Sequence, residues 1–303
     1  MKLIKPSYSI VEQGKGLEGI YSQIELAARN CYKSEPVEGV TPEAFVERMI
    51  KLGHLSTLEH GTVYLKIPTK YIDITEKYDI PIICDAILKY QRNPYSKAVE
   101  EVIDNKYHYF ITTNYRVLVE NDWLDDLKYL CEPTEFHEKR ITVKFTSNIH
   151  FYKDITRHRP FSFAIESTRY CNYSKGKFGN ELTFILPAWC NTMEEGDYGT
   201  VAHPLVKNRG HKDGIFTGFV EHLQRVEREY LYLIECGWQA QQAAEVLPQA
   251  TKADVIMTGF ISDWEHVFDL RTSIIAKTGQ PHPEIARLMD PLYEEFKERG
   301  LIV

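Results

Sequence analysis

No apolar run among the 303 residues approaches the roughly 18–20 that a membrane-spanning helix needs. The opening MKLIKPSYSIVEQGKG lacks the apolar stretch of a secretory signal, so the expected location is cytoplasmic, with no membrane partner. No Cys-x-x-Cys pair occurs either. The six cysteines, Cys31, Cys84, Cys131, Cys171, Cys190 and Cys236, are scattered, which fits neither a disulfide scaffold nor a zinc ribbon and leaves reduced, partly buried thiols and no expected metal. Positive charge is also short. With 36 Lys+Arg against 43 Asp+Glu the net charge is −7, so no broad cationic face is offered to a phosphate backbone and nucleic acid is not an expected partner. What remains is ordinary globular usage, 43% hydrophobic and 26% charged, which excludes long disorder, collagen-like repeats and coiled coils.

Apolar residues recur at helical spacing in 17–33 (Leu17, Ile20, Ile24, Ala27, Ala28) and again in TPEAFVERMIKLGH (Phe45, Met49, Leu52). Thr41 is a suitable N-cap, Pro42 suits the first helical position and Gly53 the end, so two helices are expected to open the chain. The stretches 62–68, 106–121 and 140–147 are rich in Thr, Tyr, Val and Ile and read as strands. Residues 148–159 read as helix, and 176–210 as loop on their Gly and Pro. The pattern then predicts helices over 214–237, 239–246, 252–276 and 283–298, the first stopping at Gly237. Asn93-Pro94 and Asp104-Asn105 carry turn chemistry. Without repeat or linker, the chain reads as one α+β domain over 1–303, a central β-sheet flanked by helices.

The densest polar cluster runs from Asp154 to Tyr170. Arg157-His158-Arg159, then seven residues, then Ser167-Thr168-Arg169-Tyr170, make an anion-binding set, since guanidinium forks grip phosphate and a hydroxyl adds a donor. The alternative reading is a solvated charge run whose arginines pair with surface carboxylates. Ser167 can also cap a helix beginning near Thr168, and His54 can complement a helix dipole. Cys171 has no accompanying His or Asn signature and reads as a buried thiol, not a nucleophile.

RHRPFSFAIES, from Arg157 to Ser167, resembles the signature of flavin-dependent thymidylate synthases (ThyX), in which arginine-histidine-arginine is followed after seven residues by serine. Ala27-Ala28-Arg29-Asn30-Cys31-Tyr32 is similar to that family's N-terminal helix, and Gly53 to His60 to its Gly-His segment. Val246-Leu247-Pro248 and Leu270-Arg271 resemble its Leu-Pro and Leu-Arg elements. The resemblance covers about 20–68 and 140–290 and leaves 69–139 as an insertion.

What the resemblance implies is conversion of dUMP to dTMP by a homotetramer, with FAD as cofactor and methylenetetrahydrofolate and NADPH as co-substrates. Arg157, His158 and Arg159 would line the FAD site, with His54, Ser56 and Glu59 on its other wall and His266 where the family often has a flavin-contacting Asn. Ser167, Thr168 and Arg169, with Asp154 and Glu166, would bind the nucleotide. Arg271 and Ser167 would be catalytic, Arg271 against the uracil carbonyl. The chain departs from the pattern where Asp154 replaces Gln, where Ile165 stands at the expected acid with Glu166 one place later, where Phe260-Ile261-Ser262 replaces Asn-x-Arg, and where Ala244 replaces a phosphate-binding Arg that Lys252 could substitute. Two alternatives therefore stay open: a flavin enzyme acting at C5 of another pyrimidine nucleotide, and a non-catalytic nucleotide-binding paralogue.

Overall fold

The computed structural model describes residues 1–68, 85–103, 106–190, 193–199 and 211–303. Three sheets are seen among them. Strands β2 (Ser7–Val11), β6 (Arg140–Asn148), β10 (Lys252–Phe260) and β7 (Ser162–Ile165) form an antiparallel sheet in that order. β3 (Thr62–Pro68), β5 (Lys106–Asn114) and β4 (Lys97–Ile103) form a second antiparallel sheet. β8 (Thr183–Ile185), β1 (Lys2–Ile4) and the short β9 (Gly196–Asp197) form a third, mixed one.

The first sheet is covered on both faces. On one lie α5 (Ile149–Ile155), α8 (Ile261–Arg271) and α9 (Pro283–Glu298), which with Phe145, Val255 and Met257 enclose a core built around the fully buried Trp264. The Trp264 indole N–H donates to the Ile141 carbonyl at 3.1 Å, which satisfies the one polar atom of that side chain. On the other face α1 (Gly16–Tyr32) packs Ala27 against Ala164 and Ile256. The small Ala27 side chain lets the helix approach the strands closely. The second sheet has its own core, in which Ile20 and Ile24 of α1 meet Leu65, Ile111 and Tyr90. The third packs against α6 (His211–Glu235) through Leu3, Phe184 and Leu223.

The α+β class and the central flanked sheet are as expected; six local expectations are corrected. Strands β1 and β2 precede the first helix, so helices do not open the chain. The stretch 106–121 is strand only to Asn114, whose Oδ1 accepts from the Val117 N–H at 3.1 Å and caps a short helix, α4 (Tyr115–Glu120). The predicted helix over 252–276 begins as strand β10: flanked by β6 and β7 and buried on both faces, it carries Val255-Ile256-Met257 side by side and no sustained alternation. Residues 168–170 form a turn, not a helix, so Ser167 caps no helix.

The stretch 176–210, read as loop, contains β8 and β9, which pair with β1, and the helix read over 148–159 stops at Ile155, before Arg157. Other features hold. α2 (Pro42–Lys51) starts with the Thr41 hydroxyl accepting from the Ala44 N–H at 3.2 Å, and Gly53 follows it at φ +71°. At the Asn93-Pro94 turn, the Asn93 Oδ1 accepts from the Tyr95 N–H. Asp104 and Asn105 lie outside the described residues. Within 69–139, the described residues include α3 (Asp85–Gln91), β4, β5 and α4. Among the described residues no helix is long and apolar enough to cross a membrane.

Candidate active site

Asn148 ends β6 and starts α5, its Oδ1 accepting from the Phe151 N–H at 2.9 Å. The helix runs two turns and stops, so the following Arg157-His158-Arg159 lies in the bend before β7. This bend turns the middle residue inward and its neighbours outward: His158 is buried, while Arg157 and Arg159 are exposed. Neither arginine side chain has an acidic partner among the described residues.

α8 brings Arg271 to the same place from a position 113 residues later in the chain. Its Nε–H donates to His158 Nε2 at 3.1 Å and an Nη2–H to the Asp154 carbonyl at 3.3 Å. His266, five residues earlier on α8, sets its ring edge-on to His158 with centroids 6.3 Å apart. Burial, then the Arg271 and His266 charges, push the His158 imidazole down to about 4. His158 is therefore neutral at pH 7, and its Nε2 lone pair is what accepts from Arg271. A guanidinium so held keeps a fixed direction and has donors to spare.

Ser167 lies beyond β7, in a turn docked on the end of α1. Its N–H donates to the Cys31 carbonyl at 2.9 Å and its hydroxyl accepts from the Arg169 N–H at 3.3 Å. Thr168 is partly buried, and Arg169 is exposed with its guanidinium 5.4 Å over the Tyr170 ring. Glu166 is buried and committed. One carboxylate oxygen accepts from the Tyr173 hydroxyl at 3.2 Å, the other from Lys252 at 2.7 Å and from the Asp254 N–H at 3.1 Å. Lys33 and Lys252 each face both Glu166 and Asp254, closing a ring of two cations and two carboxylates. Burial would raise the Asp254 carboxyl, but Lys252 and Lys33 outweigh it and hold it at about 2. Lys252 is thus spent inside the protein.

Lys33 owes its position to an uncommon backbone. It closes α1 at φ 48° and ψ 42°, the left-handed region usually left to glycine, with its N–H on the Arg29 carbonyl. From there its ammonium reaches Asn30 Oδ1 at 2.8 Å as well as Asp254.

The segment Leu55–His60, a 3-10 turn, lies on the α1 face of the sheet, where His60 Nδ1 hydrogen-bonds Thr258 at 2.8 Å. His54 and Ser56 are exposed there, and Glu59 is held by Arg116 at 2.5 Å. The His158–Arg271 pair lies on the α5 and α8 face. One chain therefore brings together His158, His266, Arg271 and the Asp154 carbonyl, and separately Glu166 and Ser167. It does not bring His54, Ser56 and Glu59 to His158.

The sequence reading missed Arg140 and the ring partners Lys33 and Asp254. Arg140 is buried with no carboxylate of the described residues in hydrogen-bond contact; it donates to the Glu59 carbonyl at 2.9 Å and to Thr62 and Ser162 hydroxyls. Burial lowers it to about 10. Cys171 is buried and pushed up to about 11, first by burial and then by Glu166, so it offers no thiolate at pH 7.

The family model described as thymidylate synthase complementing protein (Thy1) matches residues 87–299. The chain belongs to the Thy1 family. The Thy1 match contains Asp154–Arg159, Glu166–Arg169, His266 and Arg271, and it takes in 87–139 of the stretch set aside above as an insertion; His54, Ser56 and Glu59 precede it. Two solved structures of PolB, a UMP/dUMP methylase from Streptomyces cacaoi, are similar to the chain. The complex with 5-Br UMP has a TM-score of 0.45 at 15% identity, over 98% of this chain and 92% of that one. The complex with 5-Br dUMP has a TM-score of 0.45 at 13% identity, over 98% and 93%. No curated protein sequence matches the chain.

Proposed function

We propose that this Thy1-family chain is a cytoplasmic flavin-dependent methylase acting at C5 of a pyrimidine nucleotide, converting dUMP to dTMP. Methylenetetrahydrofolate would be the one-carbon donor and NADPH the reductant. The observation that carries this reading is the Arg271–His158 hydrogen bond, set between two exposed guanidiniums without acidic partners among the described residues. Such a donor set fits FAD: free forks on Arg157 and Arg159 suit a pyrophosphate, and a neutral imidazole between them offers a polar edge without adding charge. Arg157, His158, Arg159 and His266 would hold the cofactor, which when bound supplies the hydride.

Arg271 has the geometry for charge stabilisation. Fixed by His158 and the Asp154 carbonyl, it can direct a remaining N–H at the pyrimidine carbonyl on which negative charge builds as C5 becomes nucleophilic. Ser167, Thr168 and Arg169 would bind the nucleotide from the turn at the end of α1. Asp154 would serve through its main chain, and Glu166 by holding Lys33 and Lys252 in place. No cysteine thiolate is called for. Because His54, Ser56 and Glu59 lie across the sheet from His158, the proposal has the flavin held between copies, in a homotetramer.

The test is spectroscopic. The purified protein should show flavin absorbance, release FAD on denaturation, and bind FAD at least about tenfold more weakly after Arg157→Ala or Arg159→Ala, a loss of roughly 1.4 kcal/mol. A colourless protein that takes up no added FAD overturns the reading.

A further inference from the structure

α1 covers only part of the β6–β10 ladder. Beside it a groove of about 630 Å³ opens between the outward side of the helix and the strands, with Lys144 of β6 paired opposite Ile256 of β10 on its floor. Four lysines enter it, Lys33, Lys144, Lys177 and Lys252. Two are already balanced, since Lys33 and Lys252 form the closed ring with Glu166 and Asp254. At the rim Arg29 is likewise balanced by Glu25, at 2.6 Å.

Lys144 and Lys177 are left. The Lys144 ammonium stands 3.8 Å from Asp254 Oδ2, beyond hydrogen-bonding distance, and its side chain is 40% exposed. Lys177 is exposed and donates only to carbonyls at the end of α1, those of Lys33 at 3.0 Å and Tyr32 at 3.5 Å. Against these two charges the groove sets one further acid, Glu35, so it carries a positive excess inside a protein whose net charge is −7. The groove is contiguous with the Ser167 turn, because Ser167 holds the Cys31 carbonyl and Lys177 the next two. Leu26, Ile256 and Phe178 give it an apolar side. Two ammonium groups with no hydrogen-bonded carboxylate among the described residues, the Lys177 one 4.9 Å over the Phe178 ring, suit an anion carrying a flat, weakly polar body.

We infer that this groove seats a nucleoside monophosphate, with Lys144 and Lys177 gripping the phosphate and Leu26 and Phe178 bordering the nucleoside. The inference rests on the nucleotide reading above and adds to it the residues that bind the phosphate; because Arg271 lies on the other face of the sheet, it would reach this nucleotide from another copy of the chain. Lysine acts here as a mobile point charge, so the grip is electrostatic and not a fixed fork.

The experiment is calorimetric titration of the full-length, FAD-supplemented protein with dUMP and, separately, with inorganic phosphate. Lys144→Gln and Lys177→Gln should each weaken dUMP binding about tenfold, and the double variant about a hundredfold. Phosphate should compete with dUMP on the wild type and not bind the double variant. Lys144→Arg and Lys177→Arg should stay within about threefold of wild type, as should Lys51→Gln on the exposed face of α2, and circular dichroism should show all variants folded. Unchanged dUMP binding by the double variant overturns the groove and leaves the nucleotide reading standing. Phosphate binding that the lysine variants abolish, without dUMP binding by the wild type, supports the groove as an anion site and defeats the nucleotide reading. Wild type that binds neither probe overturns the groove as well.

Discussion

Arg271 and His158 meet at 3.1 Å although 113 residues separate them, the guanidinium Nε–H donating to the imidazole Nε2. The contact requires His158 to be neutral, and burial beside Arg271 and His266 makes it so, with the imidazole near 4. If this contact aims Arg271, removing either partner should produce much the same loss. His158→Ala and Arg271→Ala are each expected to lower kcat/KM for dUMP at least about tenfold, and the double variant to be little worse, a coupling on the order of 1 kcal/mol. His158→Gln, which can still accept from Arg271, should recover part of the loss. Additive effects in a double-mutant cycle would show that the two residues act independently.

Stability should fall as the solution is acidified through the histidine range. His60 is fully buried and held near 3, and His158 near 4, both below the ordinary value of 6.5. Between pH 6.5 and about 4 the unfolded chain binds protons that the folded chain refuses, so stability drops as pH falls and returns as it rises. Each histidine contributes up to about 1.4 kcal/mol per pH unit across this window, so His60→Gln should roughly halve the slope seen in urea unfolding. A flat profile across this window would contradict the buried neutral state.

Asp254 is the acid on which Lys33, Lys252 and the Thr146 hydroxyl converge. Asp254→Asn leaves the buried Glu166 alone against two half-buried lysines, and breaking a buried pair in this way costs up to about 3–5 kcal/mol. Because the ring is shielded, the cost should change little with salt. A loss below about 1 kcal/mol, measured by urea denaturation, would mean that water compensates the lysines.

Gly19 lies early in α1, where helix propensity alone would make Gly→Ala stabilising by about 1 kcal/mol. The structure predicts the reverse. A Cβ at this position would fall 1.8 Å from the Gly14 carbonyl oxygen, a backbone atom that no rotamer change can move away. Gly19→Ala is expected to destabilise by at least about 2 kcal/mol, whereas an unchanged or raised melting temperature would show that the Gly14 loop yields.

Much of this was legible in the sequence, and what was not has physical reasons. Helices α1 and α2 each expose one face, so their apolar spacing could be read directly, as could the Thr41 cap of α2. β10 could not, because burial on both faces erases alternation; nor could α4, whose Tyr, Val and Leu favour strands and whose start depends on the Asn114 cap. The motif from Arg157 to Arg169 and the distant Arg271 were readable as residue types. Which of them meet was not. Lys33, Glu166, Lys252 and Asp254 come from α1's end, the loop after β7 and β10, and no spacing rule links them. The commitment of Glu166 and Lys252 to that ring, which leaves them no free charge for a ligand, is visible only in three dimensions.

The central claim is tested most directly by release of tritium to water from dUMP labelled at C5, using the purified protein with FAD, NADPH and methylenetetrahydrofolate. The account predicts release that requires the flavin and the folate, and that falls by at least about a hundredfold, roughly 2.7 kcal/mol, in Arg271→Ala. No release by flavin-loaded wild type, or undiminished release by Arg271→Ala, would contradict it.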